Sequence, residues 1–168
     1  MSSEPISFFV PGKAAPGGSK RGFAFRRGNG KLGVSMVDAG KGNAEWKAIV
    51  GLTARQAMGN RSPMDGPLVL VVEFIRARPK AHFTSKGEIR STALMMLQPT
   101  TKPDATKLLR ALEDGCTPIV WHDDAQVVVQ IVTKRYANQG EAPGARVNVR
   151  AWFPGFQIVA RVAEGEMG

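Results

Sequence analysis

One domain in which strands and helices share a core is the architecture this sequence predicts, and three observations carry it. The chain has 168 residues, 43% of them hydrophobic and 22% charged, a globular balance at the length of one ordinary domain. Two segments, at residues 43–58 and 104–115, repeat apolar residues at helical spacing. Three others, at residues 6–10, 68–77 and 127–136, are runs of β-favouring residues. A chain of this size removes about 70% of its unfolded surface from water, so it needs no disulfide staples. Its single cysteine, Cys116, fits that expectation.

The elements follow in chain order. Residues Ile6–Val10 form an opening strand closed by Pro11-Gly12, since proline and glycine punctuate β runs. Residues 13–31 are a basic, glycine-rich arm. In it Phe23 and Phe25 alternate with cations, Gly28-Asn29-Gly30 supplies a hairpin turn, and the strand returns through Leu32, Val34 and Met36. The segment Asn43–Met58 is predicted helical. Asn43 is its cap, Trp46, Ile49, Val50, Thr53, Ala54 and Ala57 lie near one face, and Gly59-Asn60 is its stop. Residues Leu68–Ala77 are apolar on both faces, the pattern of a central strand, with Glu73 as the exception. A carboxylate there requires a cation, a metal or water, and a structural salt bridge is the simplest partner. The mixed basic and small residues of Arg76–Gln98 are expected to form a mobile loop.

A second helix has both ends marked, by Asp104 as cap and Gly115 as stop. At 100° per residue, Ala105, Leu108, Leu109 and Leu112 share one flank, while Thr106, Arg110 and Glu113 stack on another. After it come Trp121-His122-Asp123-Asp124-Ala125-Gln126 and a β run, Val127–Tyr136. Two acids at the mouth of a strand and a third at a helix start make a candidate hard-cation site. Oxygen ligands select Mg²⁺ or Mn²⁺, ions that phosphodiester hydrolysis uses to polarise phosphate and activate water. Zinc is disfavoured, because His122 has only Cys116 near it in sequence. His82, in the basic loop, is read as solvated. No P-loop, dinucleotide fingerprint or nucleophile elbow is present.

With 23 Lys+Arg against 14 Asp+Glu, the net charge is +9, and the isoelectric point is near 10.2. Polyanions are natural partners for such a chain, since neutralising phosphates releases condensed counterions. The longest apolar run, Leu68–Val72, is too short to span a bilayer. With one thiol and no signal-like start, the expected compartment is the reducing cytoplasm. No linker divides the chain, so residues 1–168 are expected to be one domain with a core at about 6–153 and a tail at 154–168.

In combination, Lys102-Pro103-Asp104, Arg110 on the polar helix flank, and Asp123-Asp124-Ala125-Gln126 leading into a valine-rich strand with Lys134 resemble the RusA family of Holliday-junction endonucleases, particularly its phage and prophage members. Ile6–Lys13 and Arg78–Phe83 are similar to that family as well. The resemblance implies a small α+β fold with a mixed β-sheet and two main helices, a homodimer, and Mg²⁺-dependent cutting of four-way DNA junctions. It carries the family's first aspartate onto Asp104, the acidic pair onto Asp123 and Asp124, with Asp124 the essential one, and the basic helix residue onto Arg110.

One position departs. Thr106 stands where the common pattern has a second aspartate, and a hydroxyl brings no charge to a divalent ion. Glu113, on the same flank, and Glu73, on the central strand, are candidate substitute ligands; an Arg110–Glu113 surface pair is the simpler alternative for Glu113. The expected DNA contacts are Lys13, Lys20, Arg21, Arg26, Arg27, Lys80, Lys102, Lys107, Arg110 and Lys134. Two other functions compete: a branched-DNA binder that cuts poorly, and a single-strand or RNA module built on the charge and the Phe23/Phe25 pair.

Overall fold

The computed structural model describes residues 4–17, 20–38 and 42–155, with the backbone alone at 20–23 and 34–38. Its strands are β1 (Ile6–Pro11), β2 (Lys20–Arg26), β3 (Leu32–Asp38), β4 (Leu68–Arg76), β5 (Val127–Tyr136) and β6 (Gly144–Ala151). Its helices are α1 (Asn43–Met58), α2 (Ser91–Leu94) and α3 (Ala105–Cys116), and 3₁₀ turns occupy Lys80–His82 and Asp124–Gln126. The main sheet has the order β1-β6-β4-β5, while β2 and β3 form a separate hairpin. Strand β4 pairs parallel with β5 and antiparallel with β6. A parallel pair needs a long crossover, and α3 lies within it. The result is the α+β domain with a mixed sheet that the sequence predicts.

Alternation sets the core. Leu68, Leu70, Val72 and Phe74 of β4 join Val147 and Val149 of β6 against Trp46, Val50 and Ala54 of α1 and Leu108 and Leu112 of α3. The two helices meet at glycines. A Cβ on Gly115 would lie 2.8 Å from Val50 and 3.0 Å from the Lys47 carbonyl oxygen, so close packing demands a residue without a side chain. Lys47 and Asp114 form an ion pair of 2.7 Å across the same contact. Gly115 is therefore not the predicted stop. The helix runs through it to Cys116, with Thr117 as C-cap, and Pro118 lacks the N–H to continue. Similarly, Asn43 is the first residue of α1 rather than its cap. Gly42, at φ 83°, takes the cap position, and Asn43 is buried.

Residues 76–98 are more ordered than a mobile loop. The Arg78 side chain is buried and donates to the carbonyls of Ala137 at 2.9 Å, Ala93 at 2.8 Å and Met96 at 3.1 Å. It also lies over the Tyr136 ring, against which His82 packs edge-on. A buried cation needs such partners, and satisfying it folds the segment, leaving Leu94–Leu97 exposed.

The hairpin turns where expected: Gly30 adopts φ 76°, and Arg27 N–H bonds the Lys31 carbonyl. Phe25 is exposed rather than in the core, and the side chain of Phe23 lies outside the described residues. So do residues 156–168, which hold nearly all of the predicted tail. No helix among the described residues is long and apolar enough to cross a membrane.

Candidate functional site

Register determines which side chains meet α3. Leu70, Val72 and Phe74 of β4 face the helices, and their partners in β5 are Gln130, Val132 and Lys134, which therefore face the same way. Gln130 Nε2 donates to Glu113 Oε1 at 2.6 Å. Lys134 Nζ donates to the carbonyls of Thr101 at 3.0 Å and Pro103 at 3.2 Å. Arg76, at the end of β4, adds bonds to Thr101 at 3.4 Å and Lys102 at 3.0 Å. Two cations from adjacent strands thus clamp three consecutive carbonyls directly before Asp104. Lys134, predicted as a DNA contact, places two of its three ammonium N–H donors on these carbonyls.

Asp104 precedes α3 in extended backbone, and its side chain makes no capping hydrogen bond. The carboxylate is exposed, 3.6 Å from Lys107 Nζ, an ion pair of little stabilising value at the surface. Its oxygens remain open to an incoming cation.

The acidic pair divides its labour. Asp123 Oδ1 accepts from Ala125 N–H at 2.8 Å, while Gln126 Oε1 accepts from the N–H groups of His122 at 2.9 Å and Asp123 at 3.1 Å. This is a capping box on the turn that begins at Asp124. Gln126 also donates to the carbonyls of Met64 and Gly66, anchoring the turn to the chain before β4. The predicted ligand Asp123 is therefore engaged as a cap, while Asp124 is exposed and its carboxylate accepts no hydrogen bond among the described residues. The role of Gln126 is missing from the sequence expectations, although Asp-x-x-Gln ahead of a strand is its signal.

Glu113 is buried. Burial pushes its carboxyl above the usual range, the hydrogen bond from Gln130 pulls it back, and the charges of Asp124 and Asp114 raise it again. Glu113 and Asp124 thus share one electrostatic field. The alternative surface pair with Arg110 does not form, since Glu113 bonds Gln130. Thr106 and Arg110 are exposed on α3.

Glu73 belongs elsewhere. It alternates with the core residues of β4, on the sheet face away from the helices, and there it binds Arg135 at 2.9 Å and Arg146 at 3.0 Å. Glu141 completes the network with the same two arginines. The structural salt bridge is the arrangement found, and the topology removes Glu73 from the neighbourhood of Asp104. His122 pairs with Asp65 at 3.4 Å on the surface. Cys116 is buried, which pushes its thiol well up and leaves it inert.

Among the described residues, no three His, Cys, Asp or Glu side chains are grouped closely enough to hold a metal. Magnesium does not demand such a cage: it keeps several waters and takes one or two carboxylates together with substrate phosphates. Asp104 and Asp124 are exposed carboxylates of the kind that such an open site uses. Of the cations predicted to contact DNA, Lys13, Lys80, Lys102, Arg110, Arg26 and Arg27 are exposed, while the side chains of Lys20 and Arg21 lie outside the described residues.

Two comparisons bear on this arrangement. A protein of Bacillus subtilis (strain 168) named "Uncharacterized protein YqaN" is 33% identical over 145 residues, which cover 86% of this chain and 95% of that protein. The family model described as Endodeoxyribonuclease RusA matches residues 15–150, a span that takes in the carbonyl clamp, the whole of α3 and the Asp124 turn. The chain belongs to the RusA endodeoxyribonuclease family.

Proposed function

We propose that this protein is a divalent-metal-dependent endonuclease that cuts four-way DNA junctions, acting as a homodimer in the cytoplasm of a bacterial or phage-infected cell. The observation that carries the reading is the pair of exposed carboxylates that cap no backbone, Asp104 directly before α3 and Asp124 in the turn directly before β5. In this reading Asp104 and Asp124 would hold Mg²⁺, or Mn²⁺ in its place, which when bound would supply polarisation of the scissile phosphate. Asp123 orients Asp124 through its cap. Glu113 stands behind Asp124 as the acid that offsets the missing carboxylate at Thr106. Arg110 and Lys107 face the negative charge that develops on the phosphoryl oxygens, where fixed cations are worth most. The exposed cations Lys13, Arg26, Arg27, Lys80 and Lys102, with Lys20 and Arg21, follow the DNA backbone. The two-fold symmetry of a homodimer would match the opposed strands of the junction.

The absence of a third acid at position 106 favours one alternative, a junction binder that cuts poorly. Labelled four-way junction, duplex and single strand, incubated with and without Mg²⁺, separate the two when binding and cleavage are scored apart. Asp104→Asn and Asp124→Asn should each abolish cleavage while junction binding stays intact or tightens, since each change removes a ligand and a charge that repels phosphate. Near-normal cutting by either variant refutes the assignment. Tight binding without cutting by the unaltered protein establishes the alternative.

A further inference from the structure

Directly before Asp104 in the chain, Lys102 and Pro103 help wall a cleft of about 630 Å³, together with Lys13, Trp46, Ile49 and Arg76. A second cleft, of about 450 Å³, adjoins it across Lys13, Ala14 and Arg76. Three of these walls are cationic, against one carboxylate, Glu45. Lys13 and Lys102 are exposed, and their ammonium groups have no hydrogen-bond partner among the described residues. Arg76 is held through Nη1 alone, which leaves its other nitrogens to the cleft. Trp46 is only 1% exposed, and its indole N–H finds no acceptor. The indole thus floors the cleft, and its surroundings report on whatever occupies it.

We propose that this cleft is a subsite for single-stranded DNA, taking one or two backbone phosphates on Lys13, Arg76 and Lys102 and a sugar or base against Ile49 and Pro103, above the Trp46 floor. The inference rests on the nuclease reading for its ligand, because the wall of the cleft is the peptide that leads into Asp104. A strand with its scissile phosphate between Asp104 and Asp124 continues over that wall. Duplex DNA is the poorer occupant: it presents phosphates from a convex surface and leaves an apolar recess unfilled. An unpaired strand can turn a sugar or base inward against Ile49 and Pro103 while its phosphates meet the cations.

The test uses the whole protein without divalent metal, so that no cutting occurs. With ¹⁵N-indole labelling, and the Trp46 signal assigned by Trp46→Phe, titration with (dT)₆ should shift that signal. In Lys13→Glu/Lys102→Glu, two exposed changes compatible with folding, affinity for (dT)₆ should fall at least tenfold. The salt slope should flatten by about 1.4, at about 0.7 per single-strand phosphate contact. An unmoved Trp46 signal overturns the proposal, whether or not affinity falls, because the lysines would then touch DNA outside the cleft. Unchanged affinity in the double variant overturns it too, as does equal affinity for dTMP or inorganic phosphate, which would mark a small-anion site. Failure of the junction-cleavage assay with these results intact would strike the nuclease reading and leave the subsite standing.

Discussion

Lys134→Met tests the carbonyl clamp. The substitution keeps the aliphatic stem on β5 and removes the ammonium that holds Thr101 and Pro103. Thr101 keeps a second donor in Arg76, so the net loss is close to one bond, at the Pro103 carbonyl. Hydrogen bonds to charged groups are worth about 1.5–3 kcal/mol. Set against 1.4 kcal/mol per tenfold, a loss of that size loosens the Asp104 approach by about 10–100-fold in population. The cost falls on a surface turn rather than the core, so global stability should change far less than the site does.

The assay is cleavage of a four-way junction across a Mg²⁺ titration. Lys134→Met should raise the metal midpoint by about 10–100-fold, following the same hydrogen-bond estimate, and leave metal-free junction binding near normal. Lys134→Arg, which still donates, should recover part of the loss. The competing role, phosphate contact, gives the opposite pattern: an unchanged metal midpoint, weaker binding, and a salt slope flatter by about 0.9. That pattern would refute the clamp.

Three further outcomes follow from the geometry. Glu113→Gln preserves the shape and the Gln130 contact but removes the charge, so cleavage should fall at limiting Mg²⁺ and recover at saturation, while Thr106→Asp gains little; strong gain from Thr106→Asp with an inert Glu113→Gln refutes the compensated site. Gly115→Ala places a Cβ 2.8 Å from Val50, an overpacking that costs about 1–3 kcal/mol and outweighs the better helix propensity of alanine; a raised melting temperature would show that the helices yield there. The Arg135 side chain, then the Asn138 N–H, hold the Glu141 carboxyl down from 4.5 to about 2. Its contribution to stability is therefore complete above pH 4.5 and is lost as pH falls toward 2, and Glu141→Gln should flatten the acid limb of stability in that window; an unaltered limb would dismiss the network as a stabilising element.

What could be read from sequence was whatever is local. The apolar spacing of Trp46, Val50 and Ala54 fixes the core face of α1 whatever packs against it, and the two-sided apolar run of β4 marks a central strand. Strand β6 has as clear a signal, with Ala145, Val147 and Val149 buried between Arg146, Asn148 and Arg150, yet it was not among the predicted strands. Gly115 misled because a glycine near a helix end is usually a stop, whereas here the constraint comes from Val50 and Lys47, about 65 residues earlier in the chain. Arg78 misled in the same way: nothing in Arg-Pro-Lys-Ala-His says that its guanidinium will gather carbonyls from Ala93, Met96 and Ala137.

The same division runs through the site. Asp104 and Asp124 announce themselves, because each stands where an element begins and backbone direction alone leaves its carboxylate at the surface. Glu73 and Glu113 were level as substitutes, and no spacing rule could separate them. One is on a strand, where a single step in register exchanges faces; the other is on a helix whose neighbour was unknown. Pairing Leu70 with Gln130 and Phe74 with Lys134 resolves both together. It turns Gln130 and Lys134 toward α3, so that Glu113 meets a partner beside Asp124, and by alternation it leaves Glu73 on the opposite face with Arg135 and Arg146. Which of the two glutamates lies near Asp124 is thus a consequence of sheet register, and a one-residue slip of β5 would present Ile131 and Arg135 to α3, with Gln130 and Lys134 turned away.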